Sequence, residues 1–177
     1  MSDELDRPLE PRALAARDRR LRSETPLLDW TRLAALDPSG AVPDTVVRVD
    51  AGFREDENGV ALLEGQVVAR LRCHCQRCLE EMELEVCARP KLMFGRADEL
   101  GAAAVAAGFE HCELEPGMTL RELLEDEVLL AVPAFPVHER SEDCGKLAAK
   151  LAELEPGEGG ERSSSPFAVL AALKRRN

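Results

Sequence analysis

From residue 45 the apolar side chains recur with a period of two, and this pattern restricts the fold more than any other feature of the sequence. In "TVVRVDAGF", Val47, Val49, Ala51 and Phe53 share one face while Arg48, Asp50 and Gly52 take the other, as in a strand with one side buried. The stretch "EDENG" at 55–59 ends in Asn58-Gly59, a strong signal for a tight hairpin because both turn residues tolerate positive φ. The next run, "VALLEGQVVARLRC", aligns Leu63, Gly65, Val67, Ala69, Leu71 and Cys73, and a third, "EMELEVCAR", aligns Met82, Leu84, Val86 and Ala88. Three such runs in succession predict an antiparallel meander, with a further strand expected near Phe109–Leu114.

Helical signals flank the meander. In "MTLRELLEDEVLLAVP", Thr119 and Glu122 have the spacing of a capping box, Leu120, Leu123, Leu124, Val128 and Ala131 form a stripe, and Pro133 ends it. This helix is expected to cover the sheet. Leu27, Leu28, Trp30, Leu33 and Leu36 suggest a short amphipathic segment ended by "DPSG", with Trp30 as a core anchor. In "SPFAVLAALKRRN", Ser165 suits an N-cap, Pro166 the first turn, and Lys174, Arg175 and Arg176 the last. The fold class expected is α+β: an antiparallel sheet or partial barrel covered by a helix, with N- and C-terminal helical extensions. The organisation follows as a basic helical arm at 1–40, a core domain at 41–139, a Glu/Gly/Ser-rich linker at 140–164, and a docking helix at 165–177 in which Phe167, Leu170, Leu173, Lys174 and Arg175 would meet a partner.

Charge limits the classes of function. The 177 residues carry 34 acidic and 23 basic side chains, a formal net charge of −11, so the overall field repels phosphate and any nucleic-acid contact must use local patches. The clearest lies at residues 7–22, where six arginines face only Glu10 and Asp18. Arg17, Arg19, Arg20 and Arg22 there, with Arg70, Arg72 and Arg77 around the second turn of the meander, are the candidate nucleic-acid contacts, the plain alternative for the N-terminal stretch being the solvated face of a short helix. Arg70 and Arg72 point opposite to Leu71 and Cys73, which would make the exposed sheet face locally positive. With no tyrosine, one tryptophan and five phenylalanines, platforms for base stacking are scarce, and sequence-specific base reading is not expected. The N-terminus lacks the apolar core of a secretory signal and no stretch is long and apolar enough for a membrane span, so a cytoplasmic setting without membrane or DNA partners is expected.

Half of the six cysteines fall in "CHCQRC" at 73–78. Cys75 and Cys78 have the Cys-x-x-Cys spacing with which a turn presents two thiolates to one tetrahedral ion, and His138 and Cys144 would complete a zinc set. A redox couple needs a thiolate at a helix N-terminus, whereas this motif follows one strand and precedes another. A crowded turn between strands is the third reading. Cys73 is expected to face the core, Cys87 and Cys112 to act as small hydrophobes, and His74 and His111 to sit at the surface. The sequence has no glycine-rich phosphate loop, nucleophile elbow or His-Glu-x-x-His helix, and Asp126-Glu127 reads as a solvated helix face. Catalysis is therefore not expected, the alternative being a small thiol- or zinc-dependent enzyme built on Cys75 and Cys78.

The ordered set "CQRC" at 75–78, "LLEDEVLLAVPAFPVHE" at 123–139, Cys144 and the ending "SPFAVLAALKRR" resembles the YceD family, the large ribosomal RNA subunit accumulation proteins. The resemblance implies a role in synthesis, processing or stability of 23S ribosomal RNA and in large-subunit assembly, with ribosomal RNA, ribosomal proteins or assembly factors as partners and no assigned enzymatic activity. The family pattern covers Cys75, Arg77, Cys78 and the Pro-Val-His element containing His138. Many relatives carry a longer cysteine-rich tail, of which only Cys144 remains here.

Overall fold

A computed structural model describes residues 4–37, 45–95, 102–146 and 149–150. The chain divides into two units, Met1–His138 and Glu139–Asn177. In the first, the three alternating runs form strands β2 (Val46–Glu55), β3 (Ala61–His74) and β4 (Glu81–Ala88). Asp56 accepts the backbone N–H groups of Asn58 and Val60 at 2.8 Å each, and Gly59 takes φ +78°, so the hairpin closes where Asn58-Gly59 predicts. Val47, Val49, Ala51 and Phe53 are all buried, as are Leu63, Val67 and Ala69 across the register and Leu71 further along β3.

The sheet is open: β1 (Arg20–Pro26) lies beside β2, β2 beside β3, β3 beside both β4 and β5 (Lys91–Phe94), and β5 beside β6 (Glu110–His111). The C-terminal half of β3 pairs with β4, and its N-terminal residues Ala61–Glu64 pair with β5 (Lys91–Phe94). Beyond β5 lies the two-residue parallel strand β6 (Glu110–His111), a short form of the strand expected near Phe109–Leu114. Gly65 sits opposite Ala51 where β2 and β3 approach closely: a Cβ there would fall 2.7 Å from Ala51 Cα.

Helix α4 (Leu120–Ala131) starts at the predicted capping box. Thr119 N–H donates to Glu122 Oε2 at 2.8 Å and Glu122 N–H donates to Thr119 Oγ1 at 3.2 Å, satisfying two helix-end donors reciprocally. Leu120, Leu123, Leu124 and Val128 bury against the sheet, whereas Ala131 is exposed while Leu129 and Val132 on either side of it still pack against the core. Its buried Glu125 accepts the backbone N–H groups of Arg32 and Leu33 at 2.8 and 3.0 Å, holding the short helix α2 (Thr31–Ala34) against it. Trp30 is fully buried and donates to Thr25 Oγ1 at 2.9 Å. Leu28 and Leu36 are exposed, so only Leu27, Trp30 and Leu33 of that segment belong to the core.

The N-terminal segment differs from the expected helical arm. Helix α1 is confined to Pro11–Ala15, and Arg20–Pro26 is strand β1, antiparallel to β2 along its whole length. Leu21 and Thr25 point inward between exposed Arg20, Arg22, Glu24 and Pro26; charge clustering masked a period of two. The outer sheet face also has an unexpected covering at one end, where Val60, Leu62, Met93, Phe109 and Ala104 of helix α3 (Ala102–Ala106) form a second apolar cluster.

In the second unit, Ser141–Cys144 forms a tight helical turn with Cys144 buried, inside the stretch read as linker. Phe167, Leu170, Leu173, Lys174 and Arg175 lie outside the described residues.

Candidate metal centre

The turn between β3 and β4 is closed by its own backbone. Cys75 N–H donates to Glu80 O at 2.9 Å and Leu79 N–H to Cys75 O at 2.8 Å, with Leu79 in the left-handed region at φ +63°. Pro133 and Pro136 carry the chain after α4 back alongside it: Gln76 N–H donates to Pro136 O at 2.8 Å, and Arg77 Nη2 to His138 O at 3.0 Å. These contacts bring Cys78 Sγ within 3.5 Å of His138 Nδ1. The donor atoms of Cys75, Cys78 and His138 lie within 4.8 Å of one another, a spacing that one tetrahedral ion can span.

Electrostatics favour the ligand form of Cys75. Burial pushes its thiol up, but the backbone N–H groups of His138, Cys78 and Arg77, together with the Cys78 side chain, outweigh it and bring the thiol down to about 5. At neutral pH the sulfur is then a thiolate in a nest of donors, the state a metal ligand needs. Cys75 is also 0% exposed.

The other cysteines stand apart by environment. Cys73 is half-buried, and burial pushes its thiol up. Cys112 packs at the margin of the core with its thiol likewise raised by burial. Cys87 is exposed rather than packed: Val86 and Ala88 point inward, so the residue between them must point out. His74 is exposed, but His111 is half-buried, with Nε2 2.8 Å from Gly95 O. Glu127 also departs from the solvated reading; burial, then Glu110 and Asp126, push its carboxyl up.

The candidate RNA contacts are divided among three places. Arg17 is exposed between α1 and β1, and Arg19 pairs with Glu4 at 2.6 Å. On the outer sheet face Arg20 and Arg22 both reach Asp50, at 2.7 and 3.1 Å, and Arg70 reaches Glu85 at 3.0 Å. Arg72 is half-buried in register with Glu83, and Arg77 belongs to the cysteine turn. The same face carries Arg48, paired with Glu24 at 2.8 Å, and Arg54, 3.8 Å from Glu64; its outward place was legible from Val47 and Val49. This face is a mosaic of both signs rather than a positive field. Leu79, Phe135 and Val137, all exposed, add an apolar element beside the turn that period-two reading did not single out.

Residues 63–174 match the family model described as large ribosomal RNA subunit accumulation protein YceD. A protein of that name from Haemophilus influenzae is 31% identical over 160 residues, covering 84% of this chain and 89% of the relative. No solved structure matches the chain. By the span of the family model and the coverage of that relative, the chain belongs to the YceD family.

Proposed function

We propose that this protein is a non-catalytic factor of the bacterial cytoplasm that supports synthesis, processing or stability of 23S ribosomal RNA and assembly of the large ribosomal subunit, acting by binding and release. The observation that carries this reading is the 31% identity across 84% of the chain to a protein named for large ribosomal RNA subunit accumulation. Its contacts are a limited RNA interface, protein partners, or both. Arg17, Arg19, Arg20, Arg22, Arg70, Arg72 and Arg77 supply the RNA side, at the cost of displacing carboxylates such as Asp50 and Glu85. Phe167, Leu170, Leu173, Lys174 and Arg175 supply an apolar and cationic segment for a ribosomal protein or assembly factor.

Cys75, Cys78, His138 and Cys144 form the proposed zinc set. Cys144 follows His138 by six residues, a tether of roughly 20 Å at full extension, ample for a fourth ligand. A zinc ion held there supplies structural cross-linking of the β3–β4 turn to the segment after α4. Full burial of the Cys75 sulfur weighs against a thiol enzyme, whose nucleophile must be reached.

Low-salt affinity purification of tagged protein, with and without RNase, tests the reading. Large-subunit RNA and proteins are expected, with the protein component partly resistant to RNase. Absence of any large-subunit component in both arms would overturn it.

A further inference from the structure

Among the described residues, β1 ends the sheet and pairs on one side only. Its hydrogen-bond phase is fixed from both ends, because Phe53 N–H donates to Arg19 O and Leu27 N–H donates to Thr45 O, each at 2.8 Å. In an antiparallel ladder the bonded positions alternate. Leu21, Ser23 and Thr25 therefore turn their backbone groups toward β2, and Arg20, Arg22 and Glu24 turn theirs to the open edge.

Such an edge is a template for another strand unless something blocks it. Pro26 offers no N–H and limits how far pairing can run, but the stretch Arg20–Glu24 has no bulge or proline. Its outward charges are of mixed sign, and in one register they attract with no like-charged pair opposed.

We propose that β1 pairs antiparallel with β1 of a second copy of this chain, about a twofold axis at Ser23. In that register Arg22 faces Glu24 of the second copy, and each such pair exchanges both backbone hydrogen bonds. Shifting by two residues sets Arg22 against Arg22 in one direction, where Arg20 still meets Glu24, and Glu24 against Glu24 in the other, and like charges directly opposite destabilise. The side chains already lean to suit it: Arg22 bonds Asp50 and Glu24 bonds Arg48, so pairing creates a row of alternating sign from Asp50 through Arg22 and the second copy's Glu24 to its Arg48.

Ser23 supplies an independent observation. Its Oγ is buried without a hydrogen-bond partner, a costly state for a hydroxyl. On the twofold axis Ser23 meets its own equivalent at a close, non-bonded pair, where two hydroxyls can bond one another.

Sedimentation velocity of the full chain over a concentration series tests the proposal, with circular dichroism to verify folding. The wild type should move from monomer to dimer as concentration rises. Arg22→Glu and Glu24→Arg should each weaken the dimer about tenfold or more, and the double exchange should restore it. Ser23→Cys under mild oxidation gives a second readout, a peptide linked to itself at position 23, since the Cα spacing of such a pair suits a disulfide. A wild type that stays monomeric at high concentration and a Ser23→Cys variant that forms no such peptide would overturn the proposal, as would a dimer indifferent to both single exchanges.

Discussion

Cys78 Sγ lies 3.5 Å from His138 Nδ1 across 60 positions of sequence. The contact depends on the Gln76–Pro136 and Arg77–His138 hydrogen bonds, which dock the segment after α4 onto the β3–β4 turn. Zinc at this point would fasten two parts of the first unit that the sheet alone does not join.

Purified protein should accordingly carry zinc in equimolar amount. Cys75→Ser or Cys78→Ser should lower zinc affinity by at least about tenfold, and chelation should lower Tm. Zinc affinity unchanged in either variant, or a Tm indifferent to chelator, would count against the site. Metal analysis by mass spectrometry and thermal melts suffice.

Arg121 shows a different use of charge. It is buried over the Trp30 ring, 5.3 Å from the centroid, and clamps both oxygens of Asp6 at 2.5 and 3.0 Å. That hydrogen bond holds the Asp6 carboxyl below the ordinary carboxylate range. A depressed folded-state pKa adds stability above the unfolded value, and this stability is lost as pH falls through the folded one. Asp6→Asn should cost about 1–3 kcal/mol near neutrality, less than for a fully buried pair because Asp6 is half exposed. The deficit should shrink below about pH 4. Urea melts at two pH values measure it, and a deficit that is the same at both would refute the assignment.

Gly65→Ala tests the packing of β2 on β3. The added methyl would meet Asp50 O and Ala51 Cα, so strands that carry the inner face must separate. A loss of about 3 kcal/mol is expected, with Gly52→Ala as the control, since its nearest contact is an ordinary 3.9 Å from Glu64 O. Equal effects in the two variants would show that the close approach is not limiting.

The central strands were legible because β2, β3 and β4 each bury one side, so their period survives in the residues. Strand β1 was not, because its outward positions are Arg20, Arg22 and Glu24 and its inward Ser23 and Thr25 are polar. In β5, Leu92 and Met93 are both buried, on opposite faces, which erases alternation from a short run. The cysteine turn could be read from Cys-x-x-Cys spacing, and the Arg70–Glu85 pairing could not, because it rests on the β3–β4 register. Local charge therefore suggested a positive face where the fold interleaves carboxylates.

That interleaving predicts a shallow salt dependence. If only a few arginines exchange a carboxylate for phosphate, log K for binding ribosomal RNA should fall with log salt at a slope of about −2, on the scale of 0.7–0.9 per contact. Fluorescence anisotropy across a salt series gives the slope, and a value steeper than about −6 would mean that the paired residues are released wholesale.

The most direct test of the assembly role is sucrose-gradient sedimentation of lysate from growing cells after mild crosslinking, probing for this protein across the fractions. Co-migration with precursors of the large subunit, and depletion from mature ribosomes, is the result expected of a factor that binds and is released. Confinement to the free fraction throughout active growth would contradict it.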